Sequence, residues 1–355
     1  DGREKSKSGA KEKTGGEKSQ KEMNGPAAVA AVTPEVLERA AALLRDGKLV
    51  AFPTETVYGL GADALNPEAV GRIYEAKGRP SDNPMIVHVA RASDIGQLTP
   101  FITQDMIKLI DHFWPGPLTL VVKKKDSVPL RTTGGLDTVA VRMPDHPAAL
   151  ELIRLAGVPI AAPSANLSGK PSPTKSEHVI HDLMGKVEAI LTGGDCRVGI
   201  ESTVLDLTGD SPMILRPGVI TADNIEAVLE KPVSLDPSLK GRPEEDLVAK
   251  SPGMKYKHYA PKAQMLVVEG SRDKVKAEIE RLRTVNEKIG NKVGVILFEE
   301  KAFVEAAQNF FAQLREMDSQ EVDLILAGAL SDTDGVGFAV MNRMLKSAGY
   351  NIVRV

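Results

Sequence analysis

A two-part α/β protein is the fold that the sequence predicts, and three observations carry the prediction. Short apolar runs that suit buried strands alternate with amphipathic helical stretches through residues 33–230. The pattern lapses over residues 231–263, where Pro, Gly, Asp and Lys scatter without period. From Gln264 a regular alternation of strand and helix resumes and runs to Val355, as in a small parallel-sheet unit. The expected division is a tail at 1–26, a first domain at 27–230, a linker at 231–263 and a C-terminal Rossmann-like α/β domain at 264–355. A chain of 355 residues, 42% hydrophobic, is long enough for about two such domains.

Residues 1–26 hold almost no apolar side chains, so they cannot bury enough surface to offset chain entropy and read as a disordered tail. The chain opens on Asp1 rather than Met, which suits either a processed start or an added, non-native tail. Thr33-Pro34-Glu35 supplies an N-cap followed by proline at the first helical position, and Val36, Leu37, Ala40, Ala41, Leu43 and Leu44 then form one apolar face up to Gly47. Leu49 to Phe52, bounded by Gly47 and Pro53, suits a strand buried on both faces. Thr54, Glu55, Thr56 and Tyr58 then crowd hydrogen-bonding groups onto a loop, where Gly59 and Gly61 would let backbone approach a ligand closely. A second helix is capped at Asn66-Pro67 and stopped at Gly78.

Lys77, Arg79 and Asn83 lie on a stiff loop ahead of the strand Met85–Ala90, which carries His88. The two cations either offset a helix C-terminus or form an anion site; the planar guanidinium and two prolines suit the second use. His88 is either a satisfied core histidine or a site residue. A helix from Thr103 to Phe113 ends at Trp114-Pro115-Gly116-Pro117, a rigid corner, and the strand Leu118–Val122 follows with Thr119 near its start. The strand Thr138–Met143 carries Arg142 among apolar residues, a charge that needs either a salt-bridge partner or a substrate carboxylate.

After a helix from His146 to Ala156, the strand Pro159–Ala162 opens into Pro163-Ser164-Ala165-Asn166, again strand, proline, then small polar groups. Thr174 and Glu177 read as a capping box for a helix whose His178 and His181 share a face but lack further ligands at a metal spacing. Strands near 188–191, 203–207 and 213–215 follow, with Ser202 before the second and Arg216 after the third, and a helix at 222–230 closes the unit. Within the linker, Tyr256, His258 and Tyr259 are more than a spacer needs and should pack over something. Strands 265–268, 293–298, 323–326 and 352–355 alternate with helices near 272–288, 302–316 and 337–347.

Composition narrows the function. No apolar run approaches the roughly 18 residues of a membrane span, and the single cysteine, Cys196, rules out an intrachain disulfide; both point to a cytoplasmic setting. Cys196 has no evident histidine partner and reads as a turn residue rather than a nucleophile. The net charge is −3, and because the tail is basic the remainder is more acidic still, which argues against a stand-alone nucleic-acid binder. Gly335-Val336-Gly337 lacks the spacing of a dinucleotide site, and Asp332 with Asp334 is only a fragment of a calcium loop. What remains is a set of separated Lys, Arg, Ser, Thr and Asn groups at strand ends, suited to transfer at a nucleotide phosphate, where positioning and charge neutralisation dominate.

In order, PTETVYGLGADA, AKGRPSDNPMIVHV, FWPGPLTLVV, VAVRMPDHP, APSANLSG, ESTVLDL and ILRPG resemble the YrdC-like family. SPGMKYKHYAP followed by an α/β domain is similar to its two-domain members, the threonylcarbamoyl-AMP synthases. The resemblance covers about residues 33–355 and implies a twisted, mostly open sheet around a central basic cavity. It implies that L-threonine, bicarbonate and ATP, with Mg2+ carried mainly by the ATP phosphates and no protein-held metal, give threonylcarbamoyl-adenylate and pyrophosphate. A downstream transferase would move the product to tRNA, which this chain would meet at most indirectly. The catalytic set implied is Lys77, Arg79, Ser164 and Asn166. Asn83, Thr119, Ser202 and Arg216 would join these around ATP, and Thr54, Tyr58, His88, Arg142 and Ser202 would hold threonine. Tyr256, His258 and Tyr259 would form a lid that keeps water from a labile carbamate. An RNA-binding module using the same cavity is the competing reading; carbamoyl transfer in metalloenzyme maturation would need zinc-finger segments that one cysteine cannot supply.

Overall fold

In the computed structural model the described residues are 28–241, 249–252, 254, 258–332 and 335–355. The tail at 1–26, Tyr256 and Asp334 lie outside them. The first part comprises β1 (Ala28–Ala31), α1 (Pro34–Arg45), β2 (Val50–Phe52), β3 (Gly59–Asp63), α2 (Pro67–Lys77), β4 (Ile86–His88), α3 (Gln104–Phe113), β5 (Leu118–Lys123) and β6 (Thr138–Arg142). It continues through α4 (Pro147–Ala156), β7 (Ile160–Ala161), α5 (Ser176–Leu183), β8 (Ala189–Thr192), β9 (Thr203–Asp206), β10 (Met213–Arg216), α6 (Ala222–Leu229) and β11 (Ser234–Leu235). The second part is β12 (Gln264–Glu269), α7 (Arg272–Lys288), β13 (Val293–Ile296), α8 (Phe303–Ser319), β14 (Leu324–Gly328), α9 (Val336–Ser347) and β15 (Ile352–Arg354).

Local chemistry sets most boundaries where the residues suggest. Thr33 Oγ1 accepts from the Val36 amide at 3.2 Å to start α1. Asn66 Oδ1 accepts from Glu68 and Ala69 to start α2, which ends on Gly78 at φ 62°. The eleven strands of the first part form one mixed sheet in the order β1-β8-β2-β3-β7-β4-β6-β5-β9-β10-β11, twisted α/β as expected. The second part is the expected parallel sheet, ordered β13-β14-β12-β15 with every pairing parallel.

Two local expectations are corrected. Gly59–Asp63, read as a ligand loop, is a strand antiparallel to β2. A Cβ on Gly61 would lie 2.8 Å from Phe52 Cε1 and 2.9 Å from Ile160 Cγ2, so that glycine makes room for neighbouring core side chains. Nor does Thr174 cap α5: the helix starts after Lys175, and His178 Nδ1 accepts from the Thr174 amide at 3.2 Å. Thr174 is held away by its own carbonyl, which accepts from Cys196 N at 2.9 Å. The pattern also missed β1 and β11, whose four and two residues are too short to show a period.

The core of the second part extends into the first. Val57, Ile200 and Tyr259 pack with Phe310, Phe311 and Leu314, and Gly199, at φ +84°, passes so close to α8 that a Cβ there would sit 2.4 Å from Ala307 O. Gly199→Ala should therefore lower stability by about 2–4 kcal/mol through backbone strain and overpacking together, measured by urea unfolding. A change within about 0.5 kcal/mol, ordinary for a surface site, would show that the two parts are not held this closely.

Candidate functional site

A cleft of about 580 Å³, mouth included, lies at the ends of the central strands of the large sheet. The segment after β2 contributes Thr54, Thr56 and Tyr58, and the ends of β4 and β6 contribute His88 and Arg142. The loop after β7 gives Ser164, the approach to β9 gives Glu201 and Ser202, and the end of β10 gives Arg216. Arg79 enters from the loop after α2, and Pro252, His258 and Tyr259 cover the cleft from the linker. Ten residues singled out from sequence thus share one cavity although they span residues 54 to 259.

The cleft is cationic, and each cation is oriented by the protein. Arg142, 4% exposed, donates through Nε to Gly116 O at 3.1 Å, through Nη1 to Thr56 Oγ1 at 3.0 Å and through Nη2 to Glu55 Oε1. Three of its five N–H groups are engaged, which leaves two. Arg216 donates through Nε to Ser202 O at 3.0 Å and through Nη2 to Ser202 Oγ at 3.2 Å, and that hydroxyl is 2.7 Å from Thr119 Oγ1. Arg79 Nη2 donates to Pro84 O at 2.8 Å. Burial pulls the Arg79 and Arg216 guanidiniums down to about 10, so both stay charged at neutral pH.

Four expected site residues lie behind the wall. The Lys77 ammonium donates to the carbonyls of Ser164 and Asn166 and so shapes the loop after β7; burial and the Arg79 charge push its pKa well down. The Asn166 amide donates to Leu167 O at 2.8 Å and Lys170 O at 3.1 Å. Asn83 offers its backbone carbonyl to Arg79 Nε at 3.4 Å, and Thr119 touches the cleft through Ser202. Among the described residues Asn83 Oδ1, Asn166 Oδ1 and His258 Nε2 are buried without a protein partner. The Tyr58 hydroxyl, by contrast, is engaged, donating to Gly194 O at 2.8 Å and accepting from Gly193 N at 3.2 Å.

Of the described linker groups at the cavity, Tyr259 is buried and His258 half-buried. Tyr259 takes φ 62° and stacks on Phe311 with ring centroids 5.1 Å apart, and His258 lies 5.5 Å from Tyr259 on its other side in sequence. Two carboxylates that pair with the arginines at the cleft received no such role from sequence. Glu55 is the partner that the apolar surroundings of Arg142 demanded, and Glu201 precedes Ser202 in a stretch where only the hydroxyl drew attention. Cys196 is buried, and its thiol is pushed up to about 12, so it offers no thiolate at neutral pH. No group of three or more His, Cys, Asp or Glu among the described residues could hold a metal ion, and no helix among them is long and apolar enough to cross a membrane.

Comparison with known proteins decides the family. A family model described as "Telomere recombination" matches residues 42–218, and one described as "Threonylcarbamoyl-AMP synthase, C-terminal domain" matches residues 220–349. The chain is 51% identical over 326 residues to the threonylcarbamoyl-AMP synthase of Pyrococcus abyssi, covering 89% of this chain and 95% of that one. The chain belongs to the threonylcarbamoyl-AMP synthase family. The Bacillus subtilis threonylcarbamoyl-AMP synthase is 49% identical over 335 residues, covering 90% of this chain and 94% of that protein. The crystal structure of P. abyssi Sua5 complexed with L-threonine matches at a TM-score of 0.87 and 50% identity, over 92% of this chain and 98% of that one.

His88 gives the site a measurable pH signature. Its Nδ1 lies 3.2 Å from Ile86 O, and burial together with the Arg142 charge pulls its pKa from 6.5 down to about 3. Between those values the unfolded chain takes up a proton that the folded chain refuses, so this contribution is complete above about pH 6.5 and is lost as pH falls. His88→Gln should reduce the slope of unfolding free energy against pH by about 1.4 kcal/mol per unit within that window. Urea titrations at several pH values would read it; an unchanged slope would mean that His88 is protonated in the fold.

Proposed function

We propose that the chain makes threonylcarbamoyl-AMP and pyrophosphate from L-threonine, bicarbonate and ATP, for threonylcarbamoyladenosine modification of tRNA next to the anticodon. The observation that carries this reading is the gathering of three oriented guanidiniums, of Arg79, Arg142 and Arg216, around one cleft in a chain about half identical to threonylcarbamoyl-AMP synthases along nearly its whole length. The P. abyssi structure holds L-threonine, and the same amino acid is taken as the substrate here. Bicarbonate and the threonine amine condense to N-carboxythreonine with loss of water. A carbamate oxygen then attacks the α-phosphorus of ATP, forming the mixed anhydride as the bond to pyrophosphate breaks. No protein nucleophile is required, and positioning plus charge neutralisation carry the step.

In this reading the two remaining N–H groups of Arg142 take the threonine carboxylate, with Thr54 and His88 beside the rest of the amino acid. His88, held neutral, can meet a ligand without adding charge to the Arg142 side. Arg79 and Arg216 face the triphosphate, Ser164 and Ser202 donate to it, and Lys77 and Asn166 set the loop that presents Ser164. Mg2+ arrives on the nucleotide phosphates. Tyr256, His258 and Tyr259 form the lid, and its closure protects the carbamate from water. The enzyme works in the cytoplasm and hands its product to a separate tRNA transferase.

Pyrophosphate release with ATP and bicarbonate, scanned over the twenty amino acids with mass detection of the adenylate, tests the reading. Threonine-dependent release with a threonylcarbamoyl-adenylate mass is expected; folded protein that binds ATP and stays silent with every amino acid would overturn it. Arg142→Lys keeps the charge but loses the fork. It should raise the KM for threonine tenfold or more while moving the KM for ATP less than threefold, and equal rises in both would remove Arg142 from the amino-acid end.

A further inference from the structure

The second part of the chain reaches the cleft through a side chain that neither the sequence motifs nor the family resemblance draws attention to. Arg343, on α9, is fully buried at 0% exposure. Its Nε donates to Glu201 Oε2 at 3.2 Å, Nη2 to the Glu201 carbonyl at 3.3 Å, and Nη1 to the carbonyls of Pro217 and, at 3.2 Å, Ala339. Glu201 is the residue before Ser202, and Pro217 is the residue after Arg216. Arg343 therefore holds both chain segments immediately beside the Ser202–Arg216 pair, while Arg216 itself bonds Ser202 O and Oγ. The other oxygen of Glu201 accepts from Ser172 Oγ at 2.5 Å.

The electrostatics make this more than packing. Glu201 lines the cleft beside Arg216, and although burial works against its charge, Arg343 and then Arg216 hold it below the usual carboxylate range. A carboxylate in that place can satisfy itself on either arginine. If it turned to Arg216, it would cancel a cation where a polyphosphate has to be neutralised, and it would draw the guanidinium off Ser202. Arg343 meets the Glu201 carboxylate with a planar fork that also takes three carbonyls, of Glu201, Pro217 and Ala339, geometry that a lysine could not reproduce.

We propose that Arg343 is a positioning residue of the nucleotide site: by holding Glu201 from the C-terminal domain, it keeps Arg216 and Ser202 free to meet the ATP phosphates. The proposal rests on the reading of the cleft as an ATP site, and direct binding separates the two. Calorimetry with ATP and, separately, L-threonine would compare the full-length protein with Arg343→Gln, Glu201→Gln and the Arg343→Gln/Glu201→Gln double variant. Arg343→Gln should weaken ATP tenfold or more and threonine less than threefold. The double variant, which removes the competing carboxylate as well, should recover ATP affinity to within about threefold of the parent. Should Arg343→Gln fail to fold, Glu201→Gln alone is decisive, because relieving Arg216 of a neighbouring negative charge should leave ATP binding equal or tighter. The proposal is overturned if ATP and threonine weaken together in Arg343→Gln, if the double variant is as weak as that single variant, or if Glu201→Gln weakens ATP. A parent protein that binds no ATP would instead overturn the reading of the cleft.

Discussion

Arg142 and Glu55 form an ion pair inside the large sheet, with side chains 4% and 0% exposed, and much of the local structure follows from having to keep it there. Taking a guanidinium and a carboxylate out of water costs several kcal/mol per ion, and their attraction offsets that only when the remaining donors are also met. The segment after β2 meets one through Thr56 Oγ1, and the corner before β5 meets another through Gly116 O. Both segments therefore stop their neighbouring strands at the cleft. The same requirement recurs at Lys77, whose ammonium needs the carbonyls of Ser164 and Asn166, and at Arg216, which takes Ser202 O. The cleft is in this sense a set of carbonyls and carboxylates placed to hold its cations in fixed orientations.

That requirement explains why the site was so legible in the sequence. A charge inside an apolar strand, such as Arg142, must be compensated, and proline followed by small polar residues marks the strand ends where compensation can occur. The helices around the site were legible for a local reason, since Thr33, Asn66 and Gly78 perform their capping within three residues of where they stand. The misreadings share one cause, dependence on distant residues. Gly61 looked like a turn residue because nothing near it reveals that Phe52 and Ile160 need its missing side chain. Thr174 had the spacing of a cap, but its place is set by a bond from Cys196, twenty-two residues on. Glu201 carries no local mark of its partner, which stands on α9 in the other part of the chain.

The two parts of the chain are joined by charge as well as by apolar packing. Arg315 of α8 donates to Pro171 O at 2.6 Å and to Asp182 Oδ2 at 2.9 Å. Asp182 also accepts from Leu167 N at 3.1 Å and from Lys170 Nζ at 3.3 Å. Burial alone would raise the Asp182 pKa, yet Arg315 and Lys170 hold it low, so it remains an anion with every available partner engaged. Arg315 thus braces from behind the loop that Lys77 grips from within the first part. The loop carrying Ser164 and Asn166 is fixed from both parts of the chain.

This arrangement gives the linker a defined place to land. Tyr259, at φ 62°, is in a conformation that a tyrosine adopts only when its surroundings hold it there. Those surroundings come from both parts: Phe311 from α8 stacks on its ring, and its neighbour Ala260 donates to Gly169 O at 2.8 Å, within the loop that Arg315 braces. The buried Tyr259 hydroxyl lies in the field of Glu201 and is pushed up to about 12, so it remains a neutral donor. The Phe311 contact and the bond to Gly169 O offset the cost of that backbone conformation.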